Sequence, residues 1–264
     1  MVCKKCLLGM NTVAFFAMIA VNALANALPI AGRSTGYISN LYPNLFTPAG
    51  FTFSIWGVIY LLLGVHLGYQ ILDLSRGGDR WKSAIDAYGY LFLISSILNI
   101  AWLFAWHNLM IPLSLVIMVG LLSTLIAMHR RLNPSGTVDF KKNWKNNLPF
   151  SVYLGWISVA TIANVTVFLV DVGWDGFGLS DVFWTTGVLV VATLLAVIYS
   201  VIRRDAPYSL VVLWAFIGII SKRLSVEPAA TTVIVAAGAG GAVIIISLLW
   251  MIMRTRSRPS EVTG

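Results

Sequence analysis

The sequence predicts an all-α, polytopic membrane protein with eight transmembrane helices and both termini in the cytoplasm. Three observations carry that reading. The 264-residue chain is 58% hydrophobic and only 11% charged, with a mean hydropathy of +0.85, whereas soluble domains carry about 25% charged residues. Its apolar runs have the length, about 20 residues, that a helix needs to cross a bilayer. Its bases lie between those runs, so the net charge of +8 follows from topology. No basic stripe with interleaved aromatics stands outside the apolar runs, so nucleic acid is not expected as a partner.

The runs follow in order. The first, Leu7–Ile30, comes after Lys4 and Lys5, and the "ALA" at 23–25 resembles a signal-peptide cleavage site. The run continues past the usual apolar length of such a peptide, which predicts an uncleaved helix. The next five are Gly50–Leu72, Ala87–Trp106, Met110–Met128, Leu148–Val170 and Val182–Ile202. Tyr208–Ser221 is the shortest, and Ala229–Met253 is the last. With the N-terminus inside, fifteen of the 18 Lys and Arg residues fall in the inner clusters at 4–5, 76–82, 130–145, 203–204 and 254–258. Arg33, Lys222 and Arg223 alone fall outside, a strong positive-inside bias. The outer loop "DVGWDGFGLSD" (171–181) holds three aspartates and no base. An odd number of spans would break this agreement.

No charged residue lies in the middle of a predicted span. Asp73, Asp86, Asp171, Arg203 and Lys222 all stand near ends. A proton-coupled pump needs a charge within the membrane, and a retinal protein needs a mid-helix lysine, so both are disfavoured. Cys3 and Cys6 form a lone CxxC. Zinc needs about four ligands, so these read as juxtamembrane thiols, and no disulfide framework is expected.

Chemistry must then reside in aromatic and amide side chains. The second run places Phe53, Trp56 and Tyr60 on one helical face, and the third does the same with Ser95, Asn99, Trp102 and Trp106. The fifth carries Tyr153, Trp156, Ala160 and Asn164 within an arc of roughly 80°. The first adds Asn11, Asn22 and Asn26. At 1.5 Å per residue, Trp56 and Asn164 each lie about 9 Å below the outer end of their helices. Asn99 and Trp102 share that outer half, under the long loop at 31–49. Interfacial tryptophans need no ligand and asparagine can simply join helices, so the pattern alone leaves a ligand pocket and helix packing both open.

The blocks "TPAGFTFSIWGVIY" (47–60), "LNIAWLFAWH" (98–107) and "VYLGWISVATIAN" (152–164) resemble the second, third and fifth helices of the TspO/MBR family. These are the tryptophan-rich sensory proteins and the translocator protein, or peripheral-type benzodiazepine receptor. The resemblance covers roughly residues 7–170, with Thr161 beside Ala160 in its most specific block. It implies a five-helix bundle, frequent homodimers, and binding of porphyrins or other hydrophobic ligands. It also implies a pocket at Trp56, Tyr60, Asn99, Trp102, Tyr153, Trp156, Ala160 and Asn164.

The chain departs from that pattern at Phe51, where the family usually has tryptophan, and at Val152, where it usually has proline. The cholesterol-type pattern is missing after Asn164, and three further helices follow. The expected organisation is a five-helix ligand-binding bundle at 1–172 and a three-helix membrane extension at 173–264, ending in a basic tail. In the eighth run, Gly238 and Ala242 suit close packing, within the chain or between protomers.

The leading expectation is a multi-pass cell-membrane binding protein or sensor for a flat hydrophobic ligand, a porphyrin or other tetrapyrrole. It would need no resident cofactor or metal, and its partners would be the lipid bilayer, the small ligand and a second protomer. A transporter is the alternative, although no inverted repeat is visible. Light-dependent porphyrin breakdown, with Trp56 and Trp156 as candidate residues, is a further one. A bis-histidine haem site between His66 and His129 is a minor reading.

Overall fold

The computed structural model describes residues 3–27 and 32–256, without the side chains of residues 142, 255 and 256. The end of the first predicted span and the basic residue at 258 lie outside the described residues. Among the described residues every regular element is helical: α1 (Lys4–Ala27), α2 (Thr35–Leu41), a 3-10 turn (Gly50–Ser54), α3 (Ile55–Ser75), α4 (Arg80–Tyr88), α5 (Leu91–His107), α6 (Ile111–Leu132), α7 (Phe140–Asp171), a second 3-10 turn (Gly176–Gly178), α8 (Asp181–Val201), α9 (Ala206–Leu224) and α10 (Thr231–Arg256). Seven of the helical spans, counting the first 3-10 turn with α3, are each long and apolar enough to cross a membrane. The pair α4 and α5, bent by 60°, makes up to eight if the two count as one span.

The expected third span, Ala87–Trp106, is therefore broken near its start. Gly89 sits at the break with φ 53° and ψ −125°, a conformation that side-chain-bearing residues avoid. The loop expected at 31–49 carries its own helix. Ser34 caps α2, its hydroxyl accepting from the Tyr37 amide at 3.2 Å. The weak seventh span is a full helix, because Asp205 caps it and Pro207 stands in its first turn, where the missing proline N–H costs nothing.

Proline also explains a feature of α7. Pro149 lies inside this helix and cannot donate to the Lys145 carbonyl one turn back. His66 Nδ1 takes that carbonyl at 3.1 Å. A carbonyl only accepts, so Nδ1 carries a proton. His66 Nε2 then faces Gln70 at 2.6 Å and Tyr88 Oη at 3.1 Å, which joins α3, α4 and α7 at the basic end of the bundle.

Asp205 makes a second polar junction there. It is fully buried. Its Oδ2 lies 2.7 Å from His129 Nε2 of α6 and accepts from Ser151 Oγ of α7 at 2.7 Å, while Oδ1 accepts from the Tyr208 amide at 3.2 Å. His66 and His129 thus serve different networks and do not form a paired site.

The last three helices are tightly joined to the rest. α8 and α10 pack together, and α9 lies between them and α7. Gly155 of α7 allows the close approach: a Cβ there would meet Tyr208 O at 3.0 Å and Val211 Cβ at 3.1 Å. Farther along α9, Gly218 O accepts from the Ala49 amide at 3.0 Å and Trp214 Nε1 donates to Thr52 O at 3.0 Å. Trp214 thus ties α9 to the turn before α3. In α10 the inward small residues are Ala237, Gly240 and Gly241, whereas Gly238 and Ala242 face outward.

Candidate functional site: an aromatic pocket beneath α2

Trp56 is the hub of the aromatic cluster. It follows the 3-10 turn that α9 holds, so its height in the bundle is fixed from two sides. Its ring stacks on Tyr60 (5.6 Å, 22°) and Trp102 (6.4 Å, 28°), and Trp102 stacks on Trp106 (5.7 Å, 23°). Tyr153 and Trp156 meet Trp56 edge-on at 6.0 and 6.3 Å. The three faces seen in the sequence do converge.

They do not all line one space. Trp56, Tyr60 and Trp102 border a cavity of about 670 Å³ with Ile19, Asn22 and Ala23 of α1, Gly57 of α3, and residues of α2 and its flanks. Trp156, Ala160 and Asn164 lie behind the Trp56 and Trp102 rings, around a void of about 40 Å³, room for little more than one water. Asn99 and Tyr153 line neither space. Asn22 donates to Asn99 Oδ1 at 2.9 Å, and Asn99 donates to Tyr153 Oη at 3.0 Å, a chain that ties α1, α5 and α7 together. Asn164 accepts from Ser114 Oγ of α6 at 3.2 Å. For these amides, helix joining is the role the geometry shows.

Three donors of the predicted set have no partner: Tyr60 Oη, Trp102 Nε1 and Trp156 Nε1 are buried without a hydrogen bond. Buried polar groups are normally satisfied, so their shared location around Trp56 is informative. Tyr60 and Trp102 line the large cavity, with these polar atoms covered at its wall.

The cavity roof is held from several sides. Trp106 Nε1 donates to Thr35 O at 3.3 Å, His107 Nε2 lies 3.1 Å from Thr35 Oγ1, and Lys222 Nζ donates to Asn40 Oδ1 at 3.2 Å. Asn44 Oδ1 accepts from the amides of Phe46 and Thr47 and fixes the descent toward Pro48. The sequence did not single out Ile19, Ala23, Gly57 or the α2 residues. The first three are bland apolar positions, and only their closeness to the Trp56 stripe could have suggested them.

No curated protein and no solved structure matches the chain. The family model described as TSPO-like protein matches residues 7–250. That match runs through α8, α9 and most of α10, so it takes in the helices that the five-helix resemblance left over. By that match, over most of its length, the chain belongs to the TSPO-like family.

Proposed function

We propose that this multi-pass membrane protein binds a flat hydrophobic ligand, a porphyrin or related tetrapyrrole, in the cavity beneath α2. The observation that carries the reading is the cavity itself. Its volume of about 670 Å³ is in the range of sites that enclose small molecules, about 300–1,000 Å³. Its wall is a layer of stacked rings suited to a flat π-system. Tyr60 and Trp102 line the cavity, and Tyr60 Oη and Trp102 Nε1 are covered donors without a partner, so a small side-chain shift on binding brings either to a polar atom on the rim of such a ring. Family membership supports the broader statement that this is a ligand-binding or transport protein of the membrane.

Tryptophan-fluorescence quenching during a porphyrin titration tests the site. Gly57 lines the cavity and a Cβ there has nothing within 4 Å, so Gly57→Phe has room to start a ring that narrows the cavity. It should weaken binding at least about tenfold, or 1.4 kcal/mol, with thermal stability unchanged. Tyr60→Phe removes one donor, for about 0.5–1.5 kcal/mol, or roughly 2–13-fold. Trp250→Leu, on α10, should bind as the parent does. Parent-like affinity in Gly57→Phe would remove the cavity from the account.

The same reading places α2 on the outer side and both termini in the cytoplasm, from the distribution of bases. Tyr37 and Leu179 are exposed at the α2 end, and Cys3 and Cys6 are exposed free thiols. With both native cysteines changed to serine, Tyr37→Cys and Leu179→Cys should react with an impermeant maleimide added outside sealed cells. An Arg76→Cys variant should react only after the membrane is opened. The reverse pattern inverts the topology.

A further inference from the structure

A second apolar groove lies away from the porphyrin cavity, where α7 and α8 diverge below their connecting loop. It measures about 400 Å³, and its walls are Thr161–Val170 of α7 and Asp181–Val191 of α8. Val165 and Val191 remain exposed along it, so it opens toward the lipid. Trp174 and Trp184 close its α2 end, their rings 5.0 Å apart and Trp184 Nε1 bound to Gly176 O at 2.9 Å.

A polar recess of about 330 Å³ adjoins the groove at that end. The two share Pro43, Asn44, Leu45 and Asp181, so a single elongated molecule can occupy both. Lys222 and Arg223 line the recess. Arg223 is only 8% exposed, and its Nε has no hydrogen-bond partner. No ion pair involving Arg223 forms among the described residues. Lys222 has a neutral partner, the Asn40 amide oxygen. Asp181 is the one acid on the recess wall, and it is exposed.

A buried cation without a counter-charge is costly. The C-terminal dipole of α9 favours a base in its last turn, but its contribution is smaller than that cost. An acidic group in the recess would supply the missing counter-charge and charge-assisted hydrogen bonds. The apolar groove directly beneath it adds the second half of an amphiphile.

We infer that this composite site binds one anionic lipid, with its acidic headgroup on Arg223 and Lys222 and one acyl chain in the groove between α7 and α8. The site draws on α8 and α9 as well as the outer end of α7, and shares only Asn40 with the cavity beneath α2. It stands whether or not a tetrapyrrole is the other ligand.

The test uses the full chain in a neutral detergent, with thermal unfolding as the readout and phosphatidylglycerol, phosphatidylcholine or inorganic phosphate added. Binding to the native state raises the melting temperature by an amount that grows with the logarithm of affinity at fixed lipid concentration. Phosphatidylglycerol should bind at least about tenfold more tightly than phosphatidylcholine. Arg223→Gln should bring the two lipids to parity, and Lys222→Gln should reduce the preference several-fold. Val165→Trp, which fills the groove, should weaken both lipids. Native mass spectrometry of retained lipid gives a second measure for any variant with altered stability. Equal binding of the two lipids in the parent, or an anionic preference that survives Arg223→Gln, overturns the proposal. So does a full shift from inorganic phosphate alone, which would make this a free-anion site.

Discussion

Asp205→Ala should destabilise the protein by about 3–5 kcal/mol, the sum of the lost polar contacts, the buried groups they leave unpaired and the lost helix cap. The carboxylate serves three helices at once. It lies 2.7 Å from His129 Nε2 on α6, accepts from Ser151 Oγ on α7, and caps α9 through the Tyr208 amide. Hydrogen bonds between membrane helices average well under 2 kcal/mol each, so no single contact accounts for the effect. The sum does, together with the lost cap, which alone costs about 0.5–2 kcal/mol. Asp205→Asn keeps an acceptor of the same shape and should lose only about 1–2 kcal/mol. Unfolding of the purified protein in bicelles, followed by circular dichroism, measures both. Equal stability of the alanine variant and the parent would mean that the three helices hold without the clamp.

That junction could not be read from the sequence. Asp205 fell in a short loop beside Arg203 and Arg204, a position that normally means solvent. Its partners His129 and Ser151 are 76 and 54 positions away in the chain. The visible signal was local: an aspartate two residues before a proline at the start of an apolar run, which marks a capped helix. The spans themselves were legible because bilayer thickness imposes one length and the bases mark the ends. The break at Gly89 was not, since hydropathy is blind to a residue whose importance is a backbone angle.

The site shows the same division. Periodicity brought Trp56, Tyr60, Trp102 and Trp156 to one place, because residues on one helical face stay together in any packing of that face. It could not say which side of the Trp56 ring remains empty. That depends on how far α1 stands from α3, and on side chains as plain as Ile19, Ala23 and Gly57. Asn99, Tyr153 and Asn164 read equally well as ligand contacts or as helix joints, and their hydrogen bonds to Asn22 and Ser114 show them joining helices.

Gly155→Leu should be as disruptive as the loss of Asp205, for a different physical reason. The added Cβ alone would stand 3.0 Å from Tyr208 O and 3.2 Å from Tyr208 Cα. Backbone cannot move aside as a flexible side chain can. Overpacking usually costs about 1–3 kcal/mol, and here α7 and α9 must separate, which places the expected loss at or above about 3 kcal/mol. The consequence reaches the pocket. α9 holds the turn before α3 through Trp214 on Thr52 O and the Ala49 amide on Gly218 O, and that turn carries Phe53 and positions Trp56. Porphyrin affinity should therefore fall together with stability in Gly155→Leu, whereas Gly57→Phe loses affinity alone. Porphyrin titration and thermal unfolding of the two variants side by side separate a wall that has shifted from a cavity that has been filled. Parent-like affinity in a destabilised Gly155→Leu protein would show that residues 1–172 form the ligand site without support from α9.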